Sequence, residues 1–177
     1  MTILSNWLEQ YDRMLRSHRR LLERAMGQVM ASSDEARDML FHFFQDAYHL
    51  KDWIKNDPTT ETGDVDKFVK AHPSLALCGD LCNGTKHYKL TSTKTGDLTT
   101  SFASQSVSVR PGVAVGRASV GGESGSAAAA DPSAFGPRPA LHSWEVLSAE
   151  RIYDALTLAD EVVATWKSWL EQERLLP

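Results

Sequence analysis

The stretch FHFFQDAYHLKDWIK, residues 41–55, decides the fold of this chain. Its apolar side chains recur at steps of three and four residues, which is the period of an amphipathic helix. Because the stretch is also rich in aromatic residues, we predict that this helix lies at the centre of a helical bundle. Its apolar side comprises Met39, Phe43, Ala47, Leu50 and Ile54, widened by Phe41, Phe44, Tyr48 and Trp53.

Both ends of this helix carry recognisable boundary signals. Ser32, followed three residues later by Glu35, matches a capping box, in which the two residues satisfy each other's backbone N–H groups. At the other end, Pro58 disfavours helical backbone in the residue before it, Asp57. We therefore predict a helix that begins after Ser32 and stops before Pro58.

Three further long helices and one short helix are predicted around it. The short helix is expected around residues 65–71, and Pro73 suits the first turn of the next helix, where its missing N–H has no partner to lose. Gly84 in that helix costs about 1 kcal/mol relative to alanine, which predicts a close approach by another backbone or by a substrate. Ser148 is the expected cap of the last helix. The apolar stripe of the first helix is predicted to contain Leu4, Leu8, Tyr11, Leu15, His18, Leu22, Ala25 and Val29, widened by Trp7, Met14, Leu21 and Met26.

The composition changes after Thr91 and predicts a β insert before the last helix. SFASQSVSV (residues 101–109) and GVAVGRASV (residues 112–120) alternate small polar with apolar residues and suit a hairpin. LHSWEVLS (residues 141–148) is a third candidate strand, and residues 121–139 have the composition of a flexible loop. The predicted fold is mainly α, a four-helix bundle with a small antiparallel insert of two or three strands. Insert and loop span about residues 91–147 of a single domain, residues 1–177.

The bulk composition narrows the class of protein. The net charge of −4 argues against a surface that grips nucleic acid over a broad area, and no apolar run has the length of a membrane span. The start of the chain lacks the features of a signal peptide. Cys78 and Cys82 lie one helical turn apart, where disulfide geometry is poor. We therefore expect a cytoplasmic protein with reduced thiols, no membrane partner and no cofactor.

Polar residues on two of the predicted helices form candidate stripes. Asp80, Asn83 and His87 fall at i, i+3 and i+7, so they share one helical face, with Lys86 beside them. The central helix carries His42, Asp46, His49 and Asp52 at similar spacing. If the two helices pack as antiparallel neighbours, the two stripes meet.

Three interpretations of the meeting stripes stay open. The polar groups form a hydrogen-bonded network that fixes the helix register. Alternatively, they form an acid/base site in which a histidine, an amide and a lysine promote attack of a ribose 2′-hydroxyl on a phosphodiester. In the third interpretation they hold a metal ion. The metal ligands would come from His42, Asp46, His49, Asp80 and His87.

A row of arginines lies opposite the apolar face of the first helix. Arg13, Arg16, Arg20 and Arg24 recur at helical spacing. Such a row is commonly a solvated helix face. As a functional feature it would bind the phosphates of a nucleic acid substrate.

The segment from Cys82 to Tyr88, CNGTKHY, resembles the signature of HEPN domains. That signature has an arginine, often followed by asparagine, and a histidine after four to six intervening residues. Asn83 matches the polar residue after the arginine, and His87 matches the histidine. Cys82 stands in place of the arginine and cannot supply its fixed positive charge. HLKDW (residues 49–53) together with CNGTKH (residues 82–87) is also similar to a set of small uncharacterised bacterial proteins.

The resemblance implies a compact helical bundle, often dimeric, that binds RNA or cuts it without a metal, as in toxin–antitoxin and anti-phage systems. By this resemblance His87 would act as general base or acid, Asn83 would orient the phosphate and Lys86 would offset its charge. His49 and Asp52 would support them from the central helix. The expected partners are RNA, an antitoxin or defence protein, and a second copy of the chain. The alternative is a non-catalytic module that binds a partner protein at an edge of the β insert.

Overall fold

The structure of the protein, a computed structural model, describes residues 6–26, 32–85, 91–109 and 140–176. Within these ranges the chain forms five helices, one of them short, and a three-stranded antiparallel sheet before the last helix. The predicted mainly α class with a small β insert is confirmed. In chain order the elements are α1 (Trp7–Ala25), α2 (Ser33–Asn56), α3 (Val65–Ala71), α4 (Pro73–Gly84), β1 (Ser101–Val109), β2 (Ala140–Ser148), β3 (Arg151–Asp154) and α5 (Ala155–Gln172).

Helix α2 begins and ends where the sequence predicts, and it is the centre of the bundle. The Ser32 hydroxyl accepts a hydrogen bond from the backbone N–H of Glu35 at 3.2 Å, and the Glu35 carboxylate accepts one from the backbone N–H of Ser32 at 2.8 Å. The helix ends at Asn56, ahead of Pro58. It contacts each of the other helices in the described part of the chain. Its fully buried apolar residues include Leu40, Phe43, Phe44, Ala47 and Leu50.

Helix α1 buries part of the predicted stripe. The predicted residues Trp7, Tyr11, Met14, Leu21 and Ala25 are buried, whereas the predicted member Leu8 is 41 % exposed. The side chain of Gln10 is also buried, because its amide donates a 2.8 Å hydrogen bond to the backbone carbonyl of Asp46 on α2. The spacing alone predicts a wide apolar stripe, and the packing of α1 in the bundle decides which of its members are buried.

The segment from α3 to α4 follows the prediction up to its end. Helix α3 covers residues 65–71, capped by Asp64, and Pro73 is the first residue of α4. Helix α4 ends at Gly84 with Thr85 as its C-cap. Among the described residues, no heavy atom lies within 4 Å of a Cβ placed on Gly84, so the close approach expected there is not found.

The close approach occurs at Gly79 instead, in the middle of α4. A Cβ at this position would lie 2.6 Å from Cε2 of Tyr48 on α2 and 3.2 Å from Cγ of Lys94. Real Cβ atoms do not come so near a ring carbon. The absence of a side chain at Gly79 therefore allows α4 to pack directly against the Tyr48 ring.

The sheet has the order β1-β2-β3, with both pairs antiparallel. Strands β1 and β2 were predicted, and β3 was not. The last helix is capped by Asp154, whose carboxylate accepts a hydrogen bond from the backbone N–H of Thr157 at 2.8 Å, and not by the predicted Ser148, which ends β2. A turn at Ala149 and Glu150, both with positive φ, joins β2 to β3. The predicted strand at residues 112–120 and the predicted loop at residues 121–139 lie outside the described residues.

One face of β2 completes the helical core. Trp144 and Val146 are buried, and β2 contacts both α1 and α5. Helix α5 contributes Leu158, Val162, Trp166 and Leu170 to the same core. None of the helices in the described ranges combines the length and the apolar composition needed to cross a bilayer.

Asp97 fastens the segment before β1 to the β2–β3 turn. Its carboxylate accepts hydrogen bonds from the backbone N–H of Ala149, from the N–H and hydroxyl of Thr99, and from the Ser148 hydroxyl. These bonds, the one from Ala149 foremost, lower the pKa of Asp97 to about 2. The carboxylate therefore stays ionised at neutral pH and holds the turn.

Candidate functional site

The packing of α2 against α4 brings together the two helices that carry the predicted stripes. The Cys78 thiol donates a hydrogen bond to the backbone carbonyl of Phe44 at 3.4 Å. Further along the contact, the Gln45 amide donates to the Thr85 hydroxyl at 2.8 Å. These contacts fix α4 against the central helix along most of its length.

His49 and Cys82 meet at this contact. Nε2 of His49 lies 3.8 Å from Sγ of Cys82, within the range of a hydrogen bond to sulfur. The thiol is fully buried, and the imidazole is half-buried. Cys82 therefore lies inside the α2–α4 contact, beside a histidine. One turn earlier, burial raises the pKa of Cys78 well above its usual value, so this thiol is a structural group rather than a nucleophile.

Asn83 follows Cys82 in the last turn of α4, and its side chain is half-buried. Lys86 and His87 lie outside the described residues. Of the predicted face shared by Asp80, Asn83 and His87, the first two members lie in α4, which ends at Gly84. The described part of the site therefore consists of Asn83 together with the groups that α2 presents to Cys82.

Asp80 does not join this group. It is fully buried, and its carboxylate accepts hydrogen bonds from the backbone N–H of Lys94, from the N–H of Thr95 at 2.9 Å and from the Thr95 hydroxyl at 2.6 Å. Three donors from one segment satisfy its oxygens. Asp80 is thus a clamp that holds residues 94–95 on α4, not a residue of the candidate site.

Asp46 also turns away from α4. Its carboxylate accepts a hydrogen bond from the Ser17 hydroxyl at 2.5 Å and pairs with Nε of Arg13 at 3.0 Å, both on α1. His42, one turn earlier on α2, is exposed. The predicted polar stripe of α2 is therefore divided, with Asp46 facing α1 and His49 facing α4.

This division argues against the metal alternative within the described ranges. Asp46 is paired with Arg13 of α1, and Asp80 accepts hydrogen bonds from the segment that contains Thr95. The described residues contain no group of three or more His, Cys, Asp or Glu side chains arranged to hold a metal ion. The fifth predicted ligand, His87, lies outside those residues.

Asp52 belongs to a chain of ion pairs beside the site. Its carboxylate lies 2.5 Å from Nζ of Lys51, which also lies 3.5 Å from Asp66, and Asp66 pairs with Lys55 at 2.5 Å. The hydrogen bond from Lys55 lowers the pKa of Asp66. This network connects α2 to α3. The Asp52 carboxylate, one helical turn after His49, is therefore paired with Lys51.

Tyr48 is part of this region and was not predicted as a site residue. Burial raises its pKa to about 12, and the nearby Asp52 and Cys82 add to the rise. Nζ of Lys51 lies 5.0 Å from the centre of its ring. The phenol therefore remains protonated and able to donate a hydrogen bond. In the sequence, only its position directly before His49 pointed to a place in the site. That position does not distinguish a site residue from an aromatic residue of the core.

The arginine row of α1 is not a uniform surface. Arg13 is held by Asp46, Arg24 is half-buried, and Arg16 and Arg20 are exposed. His18, on the same helix, lies with Nε2 2.7 Å from Oδ1 of Asp160 on α5. Of the four predicted substrate-binding arginines, Arg16 and Arg20 therefore remain on an open face.

Taken together, the described residues place the half-buried imidazole of His49 against the buried thiol of Cys82, with Asn83 next in the last turn of α4 and the Tyr48 ring packed near Gly79. An imidazole and an amide in this setting can exchange a proton and donate hydrogen bonds to a bound anion. Comparison with known proteins adds no assignment, since the chain matches no protein-family model, no curated protein and no solved structure.

Proposed function

We propose that the chain is a HEPN-like domain that binds RNA and cleaves its backbone without a metal ion. The observation that carries the proposal is the contact between His49 and Cys82, because Cys82 is the first residue of the segment CNGTKH. A fold of the predicted class supports the same proposal. The site would work in the bacterial cytoplasm, in a toxin–antitoxin or anti-phage system, as a homodimer bound by an antitoxin or defence protein.

In the proposed reaction the ribose 2′-oxygen forms a bond to phosphorus while the bond to the 5′-oxygen breaks. His87 takes the proton from the 2′-hydroxyl or returns one to the departing oxygen. Asn83 orients the phosphate, and Lys86 offsets its developing charge in place of the missing arginine. His49 and Asp52 position these groups from α2. Arg16 and Arg20 contact phosphates further along the strand.

The test is cleavage of a mixed RNA pool by the purified protein in excess chelator. We expect cutting by the wild type and a loss of roughly 100-fold or more in His87→Ala, the typical contribution of a general acid or base. His42→Ala is the matched control, because His42 is an exposed histidine on the same helix as His49. It is expected to cut like the wild type. Cutting that disappears in chelator, or in His42→Ala, contradicts a metal-free reaction at His87.

The alternative function, binding of a partner protein by the β insert, is favoured by one feature of the sheet. Strand β2 is central, so β1 and β3 form the two edges of the described sheet. Ile152 on β3 is 65 % exposed and offers an apolar anchor beside an open edge. If wild type and His87→Ala are equally folded and neither cuts RNA, this interaction module replaces the nuclease proposal.

A further inference from the structure

Two cavities lie next to each other where the α3–α4 corner faces α5. One has a volume of about 380 Å³ and is lined by the rings of Phe68, His72 and Trp169. The other has a volume of about 310 Å³ and is lined by Lys70, Lys94 and Glu161, among others. Their linings share no residue, but they follow one another along the same face, because Pro73 of the second follows His72 of the first, and Glu161 lies one turn before Thr165 on α5. We refer to the two neighbouring cavities together as the groove, with an aromatic half and a cationic half.

The aromatic half is held in a fixed arrangement. The rings of Phe68 and Trp169 are stacked, with centroids 4.8 Å apart and planes 19° apart, and the His72 ring lies 4.3 Å from Phe68. Nδ1 of His72 lies 2.8 Å from the backbone carbonyl of Phe68, so it carries the proton of that hydrogen bond. Phe68 and His72 are only half-buried, so part of each residue is open to a ligand.

The cationic half carries two lysines that have no acidic partner among the described residues. Lys70 and Lys94 are both exposed, and neither belongs to the ion pairs of the described chain. Glu161 is the acidic residue of the lining, so the lining keeps one excess positive charge. The backbone of Lys94 is fixed by Asp80, which places the start of its side chain against α4. In a chain of net charge −4, a local positive excess next to aromatic rings is a specific feature.

We propose that this groove binds a nucleotide unit of a single-stranded nucleic acid, with the base on Phe68 and His72 and a phosphate between Lys70 and Lys94. Stacking on aromatic rings beside a cationic path is how single strands are bound without sequence preference. The naming of RNA as the natural ligand rests on the proposed function. Asn83 and Cys82 are not among the described lining residues, so the groove is proposed as a second binding site apart from the α2–α4 contact.

Binding is measured by quenching of tryptophan fluorescence, because Trp169 lines the aromatic half. The titrant is a short oligo-deoxyadenylate. It keeps the bases and phosphates but lacks the 2′-hydroxyl, so the proposed cleavage cannot consume it. Lys70→Met and Lys94→Met are expected to weaken binding several-fold. Each should also lower the slope of log Kd against log salt by about 0.7, the value for one lost phosphate contact on a single strand. The matched control is Lys67→Met, an exposed lysine of α3 that lines neither cavity.

Two further variants test the two halves separately. Phe68→Leu removes the stacking surface and is expected to weaken binding roughly 5- to 100-fold. Phe68 also contacts Trp166, so a change in core packing would weaken binding in this variant as well. The second variant is therefore Glu161→Gln, which removes the negative charge of the lining and is expected to tighten binding a few-fold. A gain in affinity cannot arise from misfolding.

The inference is overturned if the oligonucleotide does not quench, if all lysine variants bind like the wild type, or if inorganic phosphate competes as well as adenosine monophosphate does. These results are independent of cleavage. RNA cutting that depends on His87, without binding in the groove, would retain the proposed function and remove the second site. Binding in the groove without RNA cutting would do the reverse.

Discussion

Asp80→Ala is expected to lower the free energy of unfolding by about 3–5 kcal/mol. The carboxylate is fully buried and accepts three hydrogen bonds from Lys94 and Thr95. A hydrogen bond to a charged group contributes about 1.5–3 kcal/mol. Lys94 and Thr95 are exposed, so water can replace part of what their donors lose, and the expected cost is smaller than the sum of three such bonds. Asp80→Asn keeps one acceptor oxygen and should cost about half as much.

The assay is urea unfolding followed by circular dichroism, with hydrogen exchange at the amides of Lys94 and Thr95 as a local readout. Both amides should exchange faster in Asp80→Ala, because they lose their acceptor. Asp38→Ala is the control, since Asp38 is an exposed carboxylate on α2. It should change stability by less than about 0.5 kcal/mol. A loss below about 1 kcal/mol in Asp80→Ala, with an unchanged urea dependence, would refute the clamp.

Two other substitutions test the packing of the core. Gly79→Ala should destabilise the fold by about 1–2 kcal/mol in the same urea assay, because the clash with the buried Tyr48 ring outweighs the better helix propensity of alanine; a more stable variant would contradict the close approach. His142 is buried with Nδ1 unpartnered among the described residues, and desolvation lowers its pKa in the folded state. The unfolded chain therefore binds the proton more readily, and stability should fall as the pH drops below about 6.5 toward the folded pKa. His142→Phe should flatten this dependence between pH 7.5 and 5.5, and an unchanged slope would show that another group titrates.

The sequence predicts element boundaries well wherever a local signal sets them. Ser32 and Glu35 mark the start of α2, Pro58 marks its end, and Pro73 marks the start of α4. Each acts through the backbone within a few residues, so no knowledge of tertiary packing is needed. The strand at residues 101–109 is predicted for a similar reason, from its alternation and flanking turn residues.

The site was less predictable, because its polar residues choose partners across helices. Asp46 and Asp80 have the spacing of a shared polar surface, but one is engaged by Arg13 and the other by Thr95. Helical spacing gives the face of a residue only approximately. Which donor binds a given carboxylate depends on the tertiary packing, which the spacing does not contain. His49 contacts Cys82, which was not a member of the predicted polar stripe of α4.

The hydrogen bond between His18 and Asp160 has a consequence for the order in which the fold assembles. Its partners are 142 positions apart, and Glu173 likewise accepts a hydrogen bond from Gly63 across 110 positions. Contacts this distant form late, because closing a long loop precedes the gain from the contact. On a ribosome, α1 to α4 would emerge together and leave the surface that later receives Trp166 uncovered. Docking of α5 is then the closing step of folding, and a nascent chain halted before it would present that apolar surface to chaperones.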